Sequence, residues 1–235
     1  MVKYLRKANL NGGVMDSKIE IENQKLDIFN PSEGKLSFDP VVFFARVIEY
    51  NGEIVYPKDR YEDIQSCKNS DLKKEKYSAW KLLEYAVNRH IGVDFNNFYF
   101  KKSVDGKWEC DAFYFSISHS DGMVSVALSV QPVGVDVQKM KELNEGFADR
   151  ILTKKESDEY NLLSEKEKSD YLIKSWAKKE CIIKTLGEKA LLASARETLD
   201  KEFCEGVKIY NGQKYYLCAY GRGINTKTPV IEMVL

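Results

Sequence analysis

The chain has 235 residues, with 36 Lys plus Arg against 36 Asp plus Glu and a formal charge of zero. That balance excludes a protein that holds nucleic acid by bulk positive charge, and the charge divides evenly on either side of Phe115. A hydrophobic fraction of 43% is enough for a packed core, and the length allows one large domain or two small ones.

Five cysteines (Cys67, Cys110, Cys181, Cys204 and Cys218) form no CxxC pair, which speaks against a disulfide framework or a structural zinc. No apolar run is long enough for a membrane helix, and MVKYLRKANLNGG lacks the apolar stretch of a signal peptide. We therefore expect a cytoplasmic chain with no nucleic-acid and no membrane partner.

In chain order, Lys18–Phe29 alternates weakly and could be a hairpin, followed by a loop at Asn30–Gly34. Val41–Tyr50 reads as a buried strand, then the turn Asn51-Gly52 and a short strand at Ile54–Tyr56. Asp71–His90 is predicted helical, since Tyr77, Trp80, Leu83 and Val87 recur at helical steps and Gly92 follows. Strands are expected at Phe98–Phe100, Phe113–Ser118, Met123–Val130 and Val133–Val137, and short helices within Glu142–Tyr160. Ser164–Leu186 is the clearest helix, with Ser164 and Glu167 as a capping box and Gly187 at its end. Strands near Val207–Tyr210, Lys214–Tyr220 and Val230–Leu235 complete the pattern. The fold class is α+β. Two similar lobes are expected, 1–115 and 116–235, each a small, mostly antiparallel sheet on one long helix.

Three segments carry chemistry. Phe115–Ser120 (FSISHS) puts Ser118, His119 and Ser120 at the end of an apolar strand, where hydroxyls and an imidazole suit phosphate oxygens; the same residues also fit a serine-rich turn. Gly134–Val137 (GVDV) places Asp136 on a strand face opposite its apolar neighbours, as a hard-cation ligand or an ordinary exposed aspartate. In Trp176–Lys184 (WAKKECIIK), Trp176, Glu180 and Lys184 share one helical stripe, with Lys179 beside Glu180. A carboxylate between two ammonium groups is expected to have a lowered pKa, which suits metal binding; a solvated Glu–Lys pair is the plainer reading.

Together, Ser118-His119-Ser120, Gly134-Val135-Asp136 and Trp176…Lys179-Glu180…Lys184, in this order, resemble the 4'-phosphopantetheinyl transferase family in its two-lobed Sfp-type branch. The resemblance is good from Phe115 to Leu191 and loose before that. It implies transfer of the phosphopantetheine arm of coenzyme A to a serine of an apo acyl or peptidyl carrier protein, with Mg²⁺ on the pyrophosphate and release of 3',5'-ADP. By that resemblance Asp136 and Glu180 bind Mg²⁺, and Glu180 or a water takes the serine proton. Lys184 and Lys179 act on the pyrophosphate, and Lys107, Ser118 and His119 hold the 3'-phosphate side of CoA.

The sequence departs from the family pattern in three places. Gln138 stands where many members carry a third acidic metal ligand; its amide oxygen could still bind the metal or a metal-bound water, without bringing charge, and Trp108 replaces the Pro of a Gly-Lys-Pro segment. The helix Asp71–His90 lacks the usual phosphate-binding arginine, for which Lys76 or Lys81 could substitute, with Trp80 near the arginine position. The resemblance further implies a monomer. The alternative is a catalytically silent CoA- or carrier-binding module on the same fold; a cysteine hydrolase using Cys181 and His119 is disfavoured by the position of Cys181 near a helix C-terminus.

Overall fold

The computed structural model describes residues 6–7, 29–30, 35–104, 106–142, 145–188 and 195–235. The strands and helices run as β1 (Arg6–Lys7), β2 (Phe29–Asn30), β3 (Lys35–Leu36), β4 (Val41–Arg46), α1 (Lys58–Gln65) and α2 (Ser70–Ala86). There follow β5 (Phe100–Lys102), β6 (Trp108–Cys110), β7 (Tyr114–Ser120), β8 (Met123–Ser129) and β9 (Val133–Lys139). Then come α3 (Ala148–Ile151), α4 (Lys154–Asn161), α5 (Glu165–Leu186), β10 (Cys204–Tyr210), β11 (Gln213–Gly221) and β12 (Val230–Met233). Apart from Phe29, the expected hairpin at Lys18–Phe29 lies outside the described residues.

The α+β class holds, and the sheets are mostly antiparallel. The larger has the order β1-β12-β4-β8-β7 and the smaller β10-β11-β9; among the described residues only β12 with β4 is parallel. Strand alternation makes the layers. Val41, Phe43 and Ala45 of β4, with Val124, Val126 and Leu128 of β8, pack towards α2, where Tyr77, Trp80 and Leu83 are buried. The opposite parity faces the smaller sheet: Val42, Phe44, Met123 and Ala127 meet Val135, Val137, Leu217 and Ala219. Behind that sheet α5 contributes Ala177, Cys181 and Ile182 against Tyr216 and Cys218. The result is helix, sheet, sheet, helix. The division expected after Phe115 falls inside β7, and β7, β8 and β12 all join β4 in the larger sheet.

The two sheets meet at β7 and β9 by an unusual joint. Ser116, Ser118 and Ser120 alternate along β7, and their hydroxyls accept from the backbone N–H groups of Val135 (3.1 Å), Val137 (3.3 Å) and Lys139 (3.1 Å). The other edge of β9 pairs with β11 through its backbone. β9 is therefore bonded on both sides, by hydroxyls on one and a strand ladder on the other.

Helix α5 starts at Ser164, whose backbone N–H donates to Glu167 Oε2 at 3.1 Å, and ends at Gly187 with φ +68. That left-handed turn favours glycine. The expected helix Asp71–His90 is α2, prolonged by one wide turn over Val87–Ile91. No strand forms at Ile54–Tyr56. Side chains of α2 hold that segment instead: Tyr77 Oη donates to Asn51 Oδ1 and Glu53 Oε2, and Trp80 Nε1 donates to the Tyr56 carbonyl. Among the described residues no helix is long and apolar enough to cross a membrane.

Candidate functional site

The GVDV strand and α5 touch at one glycine. A Cβ added at Gly134 would lie 2.0 Å from the Cys181 carbonyl oxygen and 2.8 Å from Thr185 Oγ1. Only a residue without a side chain lets the helix backbone come this close. The approach carries Glu180 and Lys184 towards the next polar residue of β9, Asp136.

Asp136 is 2% exposed, and three donors converge on it. Ser118 Oγ and Lys184 Nζ each donate to Oδ1 at 2.7 Å, and Gln138 Nε2 donates to Oδ2 at 2.8 Å. Lys184 Nζ also donates to the Val135 carbonyl at 3.0 Å. Burial acts against the Lys184 ammonium, but the Asp136 carboxylate together with Cys181 and Glu180 outweighs it, and the Lys184 pKa is raised.

Glu180 lies beside this pair. Burial pushes its carboxyl above the ordinary glutamate value; Lys184 opposes the shift and the Asp136 charge adds to it. This reverses the lowering expected from two flanking lysines, because Lys179 is not there. Successive helical residues diverge by about 100°, and Lys179 points away from Asp136. It is fully buried, with Nζ 2.6 Å from Glu156 Oε2 and donating to the Arg196 carbonyl at 2.6 Å. Lys179 therefore leaves the group expected to touch pyrophosphate.

Among the described residues Glu180 has no hydrogen-bond or ion-pair partner, and no cluster of three His, Cys, Asp or Glu side chains forms. The available donors are two carboxylates that repel one another and the amide of Gln138. Two carboxylates suit a hard divalent cation completed by phosphate oxygens and water. As placed, Gln138 turns its N–H donor to Asp136, so its oxygen is not the atom facing that carboxylate.

A cleft of about 430 Å³ adjoins the C-terminal end of α5, lined among others by Lys107, Trp108, Phe113, Phe115, Thr185 and Gly187. Lys107 Nζ donates to the Lys184 carbonyl at 3.1 Å; burial and the Lys184 charge lower its pKa, against the pull of Glu109. A single chain thus supplies ammonium groups from both halves to one place.

The remaining expected residues disperse. Ser118 is buried and serves Asp136, so it sits at the carboxylate end, away from any 3'-phosphate role. The parity of β7 sends His119 to the opposite face, where Nδ1 bonds Glu75 Oε2 of α2 at 2.8 Å. Lys81 pairs with Glu53 at 3.2 Å and Glu84 at 2.8 Å, on surface hollows away from the cleft. Lys76 lies 3.6 Å from Asp63, which also faces Lys102 at 3.5 Å and Arg60 at 2.7 Å. Arg60 carries no motif, and α1 was not anticipated from the sequence. Its guanidinium lies 5.0 Å from the Trp80 ring and 5.9 Å from the ring of Trp108, which lines the cleft. Among the described residues, the buried Arg60 Nε and the Trp108 indole N–H both lack a partner.

A cleft beside the C-terminal turn of α5, with Lys107 on its wall and Lys184 bonded to Asp136 on the same turn, suits a ligand that carries anionic groups. Comparison with known proteins sharpens that class. Residues 132–219 match the model of the 4'-phosphopantetheinyl transferase superfamily. The chain is 33% identical over 92 residues to a holo-[acyl-carrier-protein] synthase of Bacillus subtilis, covering 37% of this chain and 72% of that protein. The chain belongs to this superfamily. It is also 31% identical over 112 residues to the 4'-phosphopantetheinyl transferase Sfp of Bacillus subtilis (46% of this chain, 49% of that one). A further relative, the transferase ffp of the same species, is 37% identical over 75 residues (32% and 34%). The chain thus spans about half the length of Sfp and about a third of ffp.

Proposed function

We propose that the protein transfers the 4'-phosphopantetheine arm of coenzyme A to a serine of an apo acyl or peptidyl carrier protein. The observation that carries this reading is the convergence of Asp136, Glu180 and Lys184 beside the cleft, on the residues that match the superfamily. In the reaction the serine oxygen bonds to the β-phosphorus of CoA. The bond from that phosphorus to the oxygen bridging to the α-phosphate breaks, and 3',5'-ADP leaves with the bridging oxygen. Mg²⁺, held by Asp136 and Glu180 with or without the Gln138 oxygen, supplies charge neutralisation on the pyrophosphate.

The protein's own groups do the rest. Lys184 is locked on Asp136 and offers positive charge to the leaving side without reorganisation. Glu180, or a water that it orients, takes the serine proton. Lys107 extends positive charge along the cleft. For the 3'-phosphate end the candidates are Lys76 and Lys102, which share the Asp63 carboxylate with buried Arg60. Both sides of the cleft come from one chain, so a monomer is sufficient.

Purified protein incubated with Mg²⁺, CoA and several apo carrier proteins should add the mass of one phosphopantetheine arm to a carrier serine. CoA binding without any mass gain would establish the silent module instead.

A further inference from the structure

We infer that the buried ion pair Glu156–Lys179 is a positioning device that sets the rotation of α5 and so aims Glu180 and Lys184 at Asp136. The inference rests on the proposed site but assigns a role that neither residue motif nor catalytic contact supplies.

Both side chains are fully buried, and their polar atoms are accounted for. Glu156 Oε2 receives Lys179 Nζ at 2.6 Å and the Thr153 N–H at 2.8 Å. Glu156 Oε1 receives the Thr198 N–H at 3.1 Å and its hydroxyl at 2.6 Å. Lys179 Nζ gives a further bond to the Arg196 carbonyl. This one pair therefore ties α5 to the first turn of α4 and to the segment 196–198. A buried pair is weak evidence for stability, because apolar residues of similar volume often do as well. Its directional bonds are what an apolar pair would not reproduce.

The opposite side of α5 is constrained differently. Gly134 sets how near the helix lies to β9, and Thr185 Oγ1 donates to the Tyr220 carbonyl at 3.0 Å; these contacts hold the sheet side of α5, and the Glu156–Lys179 pair is the directional anchor on the other side. Side-chain ends on a helix lie about 5–6 Å from its axis, so a turn of about 10° moves Glu180 by about 1 Å. A misplacement of that size can cost about 100-fold in rate. Lys179 immediately precedes Glu180, so holding one side chain fixes where the other projects.

The test compares wild type with two variants. Glu156→Gln/Lys179→Met removes both charges, and Glu156→Asp keeps the pair but shortens it by one methylene. Folding is followed by thermal melting, Mn²⁺ binding in the presence of CoA by electron paramagnetic resonance, and transfer by kcat and KM. We expect folded variants whose Mn²⁺ half-saturation rises several-fold and whose kcat falls about 10- to 100-fold, with KM for CoA within about twofold of wild type. Wild-type kcat and Mn²⁺ binding in a folded variant would overturn the inference. So would a raised KM for CoA at unchanged kcat, which would put Lys179 on the substrate. If the double variant does not fold, Glu156→Asp decides the question alone. Failure of the wild type to modify any carrier would refute the proposed transferase, whereas the Mn²⁺ comparison would still report on positioning.

Discussion

Asp136→Asn tests the centre of the site. The carboxylate accepts from Ser118, Lys184 and Gln138, and is 2% exposed. Asparagine offers one oxygen and one NH₂ group, so at least one of the three donors then faces another donor. The Lys184 ammonium also loses its counter-charge. Removing one partner of a fully buried ion pair costs about 3–5 kcal/mol. The Lys184 side chain is 25% exposed, so water recovers part of that, leaving a loss of about 2–3 kcal/mol. In a chain of this size it corresponds to a fall in Tm of about 5–10 °C. Urea unfolding of wild type, Asp136→Asn, Lys184→Met and the double variant closes a cycle that isolates the pair. Transfer activity should be lost in Asp136→Asn. A stability change below about 0.5 kcal/mol, or a coupling indistinguishable from zero, would refute the reasoning that this pair is desolvated and closed.

Three further outcomes follow from the same geometry. The Glu180 carboxyl is raised above its ordinary 4.5, so its protonated form stabilises the fold fully below that value, a contribution lost as pH rises through the raised one. Glu180→Gln, which resembles the protonated acid, should therefore melt a few degrees higher than metal-free wild type near neutral pH while losing transfer, and a lower Tm there would contradict it. Glu156 behaves oppositely: burial raises its pKa, but Lys179, Thr198 and Thr153 together lower it below 4.5. Its stabilisation is present above that value and disappears as pH falls through the lowered one, so acid unfolding of Glu156→Gln/Lys179→Met should be less steep than that of wild type. Gly134→Ala drives a methyl group into the Cys181 carbonyl and should destabilise by about 3 kcal/mol or more, measured by urea titration; normal stability would mean that α5 sits farther from β9.

Much of the fold was legible because two periodicities are strong in this chain. The three- and four-residue spacing of α2 and α5, with glycine past each helical segment, marks elements whose inner faces are buried in the structure. Apolar–polar alternation marks β9, and apolar runs mark β8 and β11, which are buried along most of their length. α1 was missed because KDRYEDIQ has little apolar pattern; it is anchored by Arg60 against two indoles, a contact that no local spacing announces. The site was legible as residue types and only partly as geometry. Asp136, Glu180 and Lys184 meet, as their strand and helix faces require. Ser118 and His119 separate because neighbours on a strand face opposite ways, a rule that applies to SHS as well as to GVDV. The direction of Lys179 depends on Glu156, which lies 23 positions upstream and carried no signal of its own.

The order of synthesis meets an obstacle in the larger sheet. β12, made after every other described strand, lies between β1 and β4 and runs parallel to β4. Domains generally fold in the order in which they leave the ribosome. Here β4 emerges early yet keeps one edge unpaired until residues 230–233 are made, by which time β9, α5 and β11 are already available to associate. The half of the molecule that appears first is thus completed last, and during translation its β4 edge is the place where another strand could pair wrongly.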